Sequence, residues 1–305
     1  MPRISVQIPV RDGGDPFRRT LASLRDQDLT ATWELVLVDD GSRVPVAEEF
    51  DLAFPGNVAV RVVDTGGAGN RPLARNLAWR VSEAPVSLLM DADLAFGPQL
   101  LRRHLEVREE WPEAAIMGAR VNAWREDATP WQRWFDTRAM DHRPAGPFPW
   151  RYLITGNLSL PTRLLAESGG FDEAIDRYGG EDTELGWRLQ GMGTEFRWDP
   201  SLRVLHLDDV TVRQHSEKML EYGATGLRYT LEKHPGLVGL LGSGWVMGRP
   251  RLRHLPMRAG AFLVLRGPVY RAALRWAEAF GRPRFLFTYL SVGACLMGLS
   301  GRRPL

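Results

Sequence analysis

Two carboxylates, Asp91 and Asp93, stand one alanine apart at the end of the apolar run Leu88, Leu89, Met90. A second pair, Asp39 and Asp40, closes the apolar stretch VLVDDGS. Like charges at one spot repel and raise a pKa unless a cation or hydrogen-bond donors compensate. A divalent ion is the common compensation. Hard oxygen ligands suit Mg2+ or Mn2+, which take one or two carboxylates together with substrate phosphates. Helix capping and solvated loop acids are the plainer readings, and a lone D-x-D does not decide between them. A third pair, Glu181 and Asp182, follows two glycines in GGEDTELGWRL (179–189). At a helix N-terminus such acids are favoured by the dipole and the free N–H groups. His206 ends another apolar run, RVLHLDD (203–209). A lone histidine in that place suits a structural role as well as a metal.

These residues need strands to carry them. RISVQIPV (3–10) is a β-branched strand signal, and residues 16–28 suit a helix with Phe17, Leu21 and Leu24 on one face. Strands are predicted over 33–42, 58–67, 84–93 and 114–121. Helices are predicted over 70–82, with Pro72 in the first turn, and over 97–111. Strands alternating with helices mean βαβ units and a parallel sheet. In such sheets ligands gather at the carboxyl ends of strands, where both aspartate pairs lie.

Residues 124–152 change character. Trp124, Trp131, Trp134, Phe135, Phe148 and Trp150 sit among proline, arginine and aspartate, which reads as an irregular or partly helical insert. Its rings suit packing against sugars and suit a satellite core equally. Short strands and a helix return over 153–209. After about 210 the pattern is helical, broken at HPG (234–236) and GRPRLRHLP (248–256).

The chain has 305 residues, enough for one large α/β domain with an appendage. Its one cysteine, Cys295, excludes an intramolecular disulfide framework and points to a reducing compartment. The N-terminus has no long apolar stretch of the secretory kind. Charge is unevenly spread. From Trp245 to Leu305 there are eleven arginines and one acid, Glu278, so this segment is +10 and residues 1–244 are −8. It also holds FLFTYLSVGACLMGL (285–299), fifteen residues without a charge. That is short of the ~20 needed to span a bilayer. With AGAFLVL (259–265) it reads as an interfacial element with basic anchors on an anionic membrane. A buried helical pair and a homodimer contact are the other readings. No nucleic-acid recognition motif accompanies the arginines.

The order VDDGS, GAGNRPLARN (67–76), MDAD resembles the nucleotide-sugar half of family 2 glycosyltransferases, which have the GT-A fold. ISVQIPVRDGG resembles that family's first strand, with Arg11 where an aromatic is common. The resemblance implies that Pro9, Arg11 and Asp40 lie around the nucleotide base, with Asp39 beside them. Arg75 would approach the base or phosphates, Asp91 the ribose, and Asp93 would hold the Mn2+ or Mg2+ that bridges the diphosphate. YLITGNLSLPTRLLAESGGFDEAIDRYGGEDTELGWRLQGMG (152–193) resembles the acceptor half, in the galactosyltransferase variant carrying GGED. There Gly156 and Asn157 match the GN before a short strand. Asp182 matches the general base, with Glu181 assisting it or binding acceptor. His206 matches a histidine metal ligand after that helix. Arg213 and His215 follow, in a segment placed to close over the diphosphate.

The implied architecture is α/β: a Rossmann-like, mostly parallel central sheet flanked by helices. A GT-A domain would occupy 1–215, with a nucleotide-sugar half at 1–121 and an acceptor half at 122–215. A helical basic extension would follow at 216–305. The implied activity is inverting, metal-dependent transfer of a hexose-type unit to an acceptor hydroxyl of a glycan or glycolipid. The donor is a nucleoside-diphosphate sugar, UDP being commonest in the family. The setting is cytoplasmic or peripheral at the inner face of the membrane. Two rivals differ in class. A nucleotidyltransferase would want a glycine-rich phosphate loop and a lysine near the first strand, yet the only lysines are Lys218 and Lys233. A non-catalytic nucleotide-sugar-binding subunit would tolerate loss of the D-x-D or the base, and neither is missing.

Overall fold

A computed structural model of the chain describes residues 1–123, 128–137, 143–241, 243–247, 260 and 263–301. The chain divides into two compact units. The first is Met1–Ala123, Ala139–Asp176 and Glu181–Asp208; the second is Trp124–Arg138, Arg177–Gly180 and Asp209–Leu305.

The first unit is a single sheet with helices on both faces. Its opening elements are β1 (Ser5–Val10), α1 (Gly14–Arg25), β2 (Trp33–Asp39), α2 (Val46–Glu49), β3 (Val58–Asp64), α3 (Arg71–Val81) and β4 (Val86–Met90). Then come β5 (Leu94–Phe96), α4 (Leu100–Glu110), β6 (Ala115–Asn122), β7 (Gly146–Pro147), β8 (Asn157–Pro161), α6 (Thr162–Ser168), α7 (Glu181–Gly191) and β9 (Phe196–His206). Helix α5 (Pro130–Asp136) lies between β6 and β7 along the chain and belongs to the second unit. Strand order is β3-β2-β1-β4-β8-β6-β9-β5, with β7 on β9. From β3 to β4 all pairs are parallel. Beyond β4 the sheet is mixed: β8 runs antiparallel to β4 and β6, while β6 and β9 are parallel.

The alternation within each strand assigns its faces. Ile4, Val6, Ile8, Leu35, Leu37, Leu88 and Met90 pack with Phe17, Leu21 and Leu24 of α1. Val36 and Val38 point the other way, onto Ala74 and Ala78 of α3. Asn70 caps α3 by accepting from the Leu73 N–H at 3.0 Å, ahead of Pro72 in the first turn. The strands predicted over 33–42, 58–67 and 84–93 overrun at their carboxyl ends because the chain turns at the acids and glycines. Asp39 is the last residue of β2, and Gly41 beyond it has φ 84°.

The helices of the second unit are α5, α8 (Val212–Ala224), α9 (Gly226–Lys233), α10 (Leu237–Leu240), α11 (Gly244–Met247), α12 (Gly267–Phe280) and α13 (Phe285–Leu299). Its core gathers Trp131 and Trp134 with Tyr270, Leu274, Phe287, Leu290, Ala294 and Met297. These two tryptophans of the aromatic insert are therefore core, stacked 5.1 Å apart. Phe148 belongs to the core of the first unit, and Trp124 lies outside the described residues. The charge-free run 285–299 is helix α13, with Phe287, Leu290, Gly293, Ala294, Met297, Gly298 and Leu299 buried. One side of that run is thus packed in the second unit, as in the reading of a buried helical pair. Its small residues let it lie directly on α8: a Cβ at Gly298 would fall on the Leu220 carbonyl, and one at Gly223 on the Cys295 carbonyl. Arg213 and His215, expected over the diphosphate, bond within this unit. Arg213 pairs with Glu278, and His215 Nε2 lies 2.9 Å from the Ser291 hydroxyl.

Candidate active site

The D-x-D segment is fixed from three sides. Thr20 of α1, fully buried, donates to the carbonyls of Ala92 and Leu94 at 2.8 Å and accepts from the Leu94 N–H at 3.0 Å. The Asp91 N–H donates to the Gly156 carbonyl at 3.3 Å. The short β5 pairs with β9 so that Leu94 faces His206, and the Leu207 N–H donates to the Asp93 carbonyl at 2.8 Å.

That pairing brings Asp93 and His206 together. His206 Nε2 lies 3.0 Å from Asp93 Oδ2. On its other side β6 pairs Asn122 with His206, and Nδ1 lies 3.2 Å from the Asn122 side-chain oxygen. The ring thus stands between two oxygens, and donation from Nδ1 to Asn122 is the tautomer that would leave Nε2 free to bind a cation. In that tautomer Nε2 and the Asp93 carboxylate would be two ligands set side by side for one cation. Asp93 Oδ1 is buried with no hydrogen-bond partner. Asp208 completes the group: one ligand atom each from Asp93, His206 and Asp208 lies within 4.8 Å of the others. Two carboxylates and an imidazole with an oriented Nδ1–H fit a divalent cation. Asp208 went unread in the sequence. Its signal was the i, i+2 spacing from His206, which returns a side chain to the same face of an extended chain.

Asp91 faces cations already present. Arg75 Nη2 donates to its Oδ1 at 2.9 Å, and Arg120 Nη2 stands 3.6 Å from its Oδ2. Burial opposes ionisation of Asp91, but Arg120, Arg75 and Arg71 outweigh it and hold the carboxyl down at about 2. Arg75 is 2% exposed, and its Nε and Nη1 are buried without partners. Gly156 makes room here, since a Cβ on it would meet the Asp91 carboxylate.

Around the neighbouring strand ends, Asp40 Oδ1 accepts from Thr65 Oγ1 at 3.1 Å and from the Asn70 N–H at 3.0 Å. Both oxygens of Asp39 are taken up inside the loop, by the N–H groups of Ser42 at 2.8 Å and Val46 at 2.9 Å. Asp39 thus shapes the turn that carries Asp40. Pro9 is half-buried at the end of β1, and exposed Arg11 lies against the loop at Gly69.

Glu181 and Asp182 open α7. Asp182 Oδ1 accepts from the Thr155 hydroxyl at 2.6 Å, and Oδ2 from the Thr155 N–H at 3.4 Å. Burial raises the Asp182 pKa; Arg75 and the Thr155 bonds only partly offset it, and Asp91 adds to the rise. Glu181, 5% exposed, is pushed up to about 7 by burial and then by Asp182, against Arg71, whose Nη1 is 3.7 Å away. Its Oε2 is buried without a partner. The helix is anchored through Arg188, which binds the Glu184 carboxylate and the carbonyls of Ser168 and Gly170. The GGFDE turn is held in turn by Asn76 of α3, which accepts from the Phe171 N–H at 2.8 Å and donates to its carbonyl at 2.9 Å.

Asn157 does not join this group. It is 2% exposed, its oxygen lies 3.1 Å from His104 Nε2, and its NH2 donates to the Leu202 carbonyl at 2.8 Å. Its side chain is spent inside the sheet, so the expected acceptor contact is corrected to a structural role. Arg120, Thr155 and Arg71 were not singled out in the sequence. Arginine and threonine on strands and loops look like surface residues until the sheet order puts them beside Asp91 and Asp182.

Residues 5–166 match the family model described as glycosyl transferase family 2. Validoxylamine A glucosyltransferase of Streptomyces hygroscopicus subsp. jinggangensis is 27% identical over 222 residues, covering 63% of this chain and 52% of that protein. Chondroitin synthase of Escherichia coli is 25% identical over 227 residues, covering 64% of this chain and 33% of that protein. The chain thus matches about half the length, or less, of these relatives. Among solved structures, S. aureus TarS 1–349 in complex with UDP-GlcNAc superposes with a TM-score of 0.56 at 14% identity, covering 98% of this chain and 91% of that one. The fold is that of the GT-A glycosyltransferases.

Proposed function

The chain belongs to glycosyl transferase family 2, and from that premise we propose that it moves a sugar from a nucleoside-diphosphate sugar to an acceptor hydroxyl with inversion at the anomeric carbon. The acceptor would be a glycan or a lipid-linked sugar. The donor would be a UDP-sugar, in keeping with the UDP-GlcNAc held by the structurally similar TarS. The observation that carries the reading is the Asp93–His206–Asp208 group standing next in the chain to Asp91 and its arginines. It pairs a cation site with groups that suit a ribose and a diphosphate.

Asp93, His206 and Asp208 would hold a divalent cation, whose chemistry there is to neutralise charge on the departing diphosphate. Asp40 would accept from the base. Arg75, with two N–H groups unspent beside Asp91, would donate toward the ribose or phosphates. Asp182 would take the acceptor hydroxyl's proton as that oxygen attacks. Thr155 orients its carboxylate by binding both oxygens. Glu181, with a pKa near neutrality, would hydrogen-bond the acceptor while protonated.

Isothermal titration with UDP tests the binding half. Affinity is expected to rise about tenfold or more when Mn2+ is present, roughly 1.4 kcal/mol or greater. Equal affinity with Mn2+ and with chelator would contradict the cation assignment.

Thr155→Val tests the base. Removing the hydroxyl strips a donor from the ionised carboxylate, so the Asp182 pKa rises. The acid limb of the kcat profile should then move to higher pH by about one unit, the effect of roughly 1.4 kcal/mol. Thr155→Ser should restore it. An unmoved limb would mean that another group titrates in the rate.

A further inference from the structure

Helix α12 is apolar on two sides. Tyr270, Leu274 and Ala277 are buried in the core of the second unit. Val269, Trp276 and Phe280, spaced by seven and four residues, fall on another stripe and are 46%, 53% and 62% exposed. The Trp276 and Phe280 ring centroids lie 4.6 Å apart. The indole N–H donates to the Arg282 carbonyl at 2.8 Å, so this ring can leave water without stranding its donor. Phe285, at the start of α13, is 68% exposed.

The surroundings of this stripe are basic. Arg271, Arg275, Arg282 and Arg284 are exposed. Glu278 is the one acid from Trp245 to Leu305, against eleven arginines. It is gripped by Arg213 through two hydrogen bonds, of 2.8 and 2.6 Å. The one acid on α12 is thus already paired.

We propose that the Val269–Trp276–Phe280 face of α12 docks on an anionic lipid surface, with its rings at the headgroup level and the arginines on lipid phosphates. Charge selects this occupant. A second copy seated on the same face would set arginine against arginine, whereas an anionic bilayer offers both apolar depth and compensating charge. Among the described residues no helix is long and apolar enough to cross a membrane. A 14-residue helix with rings on one stripe, long arginines farther round it and Arg282 and Arg284 just past its end suits the interfacial mode. The apolar contact therefore centres on α12, joined by Phe285 at the start of α13.

The test is co-sedimentation of the full chain with phosphatidylcholine vesicles, with and without about one third phosphatidylglycerol. Binding to the mixed vesicles should exceed that to the neutral ones by about tenfold or more, and high salt should weaken it without abolishing it. The double variant W276S/F280S removes two exposed rings, so its circular-dichroism melt should match the wild type. It should lose about tenfold in vesicle binding while hydrolysing UDP-sugar at the wild-type rate, a readout independent of the lipid contact. Undiminished binding by the variant would overturn the assignment, as would absence of the wild type from anionic vesicles at low salt. A concentration-dependent dimer abolished by the same substitutions would assign the face to a second copy instead.

Discussion

Asp182→Asn is expected to lower kcat by about 10²–10⁴-fold while leaving UDP-sugar affinity within about twofold. The asparagine keeps the shape of the side chain and the bond from Thr155, because its amide oxygen still accepts from the hydroxyl at the 2.6 Å site. What it lacks is the ability to take a proton. The acceptor hydroxyl is a far weaker acid than any carboxyl, so without a base the attacking oxygen must carry its proton into the transition state. The substitution also removes the negative charge that raises Glu181, so the Glu181 pKa should fall and its carboxylate become the more available substitute. Steady-state kinetics with a saturating donor separates the cases. A fall of less than tenfold would place the base elsewhere, and Glu181→Gln would then be expected to carry the large loss.

Asp93→Ala is expected to abolish the gain in UDP affinity that Mn2+ confers. Turnover should fall with it by about 10²-fold or more. Partners outside the first ring of ligands command about 10–100-fold in metal affinity, and removing a ligand costs at least that much. The substitution also takes away the carboxylate that faces His206 Nε2 at 3.0 Å, leaving the imidazole and Asp208. Asn122→Ala should produce a smaller loss of the same kind, since it frees the ring that Asn122 orients. Titration of UDP into the variants, with and without Mn2+, measures both. Wild-type affinity in Asp93→Ala with Mn2+ would move the cation away from the D-x-D.

The sequence carried the first half of the sheet well, for a physical reason. Strands β2, β3 and β4 are mostly apolar runs closed by aspartate, and α3 opens with a capping asparagine and a proline in its first turn. The signals that a strand ends are there the signals that a ligand site begins. Of the residues proposed for the site, Asp40, Asp91 and Asp93 stand out in the sequence because they lie at such ends, and Glu181 and Asp182 because they follow two glycines at a helix start. It was not legible where the chain meets itself across the sheet. β5 has three residues, too few to show a period, yet its pairing with β9 sets His206 beside Asp93. Arg120 is one arginine on a strand, and only the order β4-β8-β6 brings it to Asp91. The short motif containing Asn157 marked a strand start correctly and its surroundings wrongly, because burial is a property of the assembled sheet. Hydropathy did not separate the readings of 285–299 for a similar reason: an apolar helix packed on α8 and one lying on lipid have the same composition. Glycines 293 and 298 were the residues that favoured packing.

The most direct test of the account is the stereochemistry of the first product. The chain, with Mn2+ and an α-linked UDP-sugar such as UDP-GlcNAc or UDP-glucose, would be followed by proton NMR without acceptor, so that water takes the acceptor's place. A single displacement with Asp182 as base predicts release of UDP together with the β anomer of the free sugar, before mutarotation supplies the α form, and neither product from Asp182→Asn at a comparable rate. First appearance of the α anomer, or no UDP released from any α-linked donor, would contradict it.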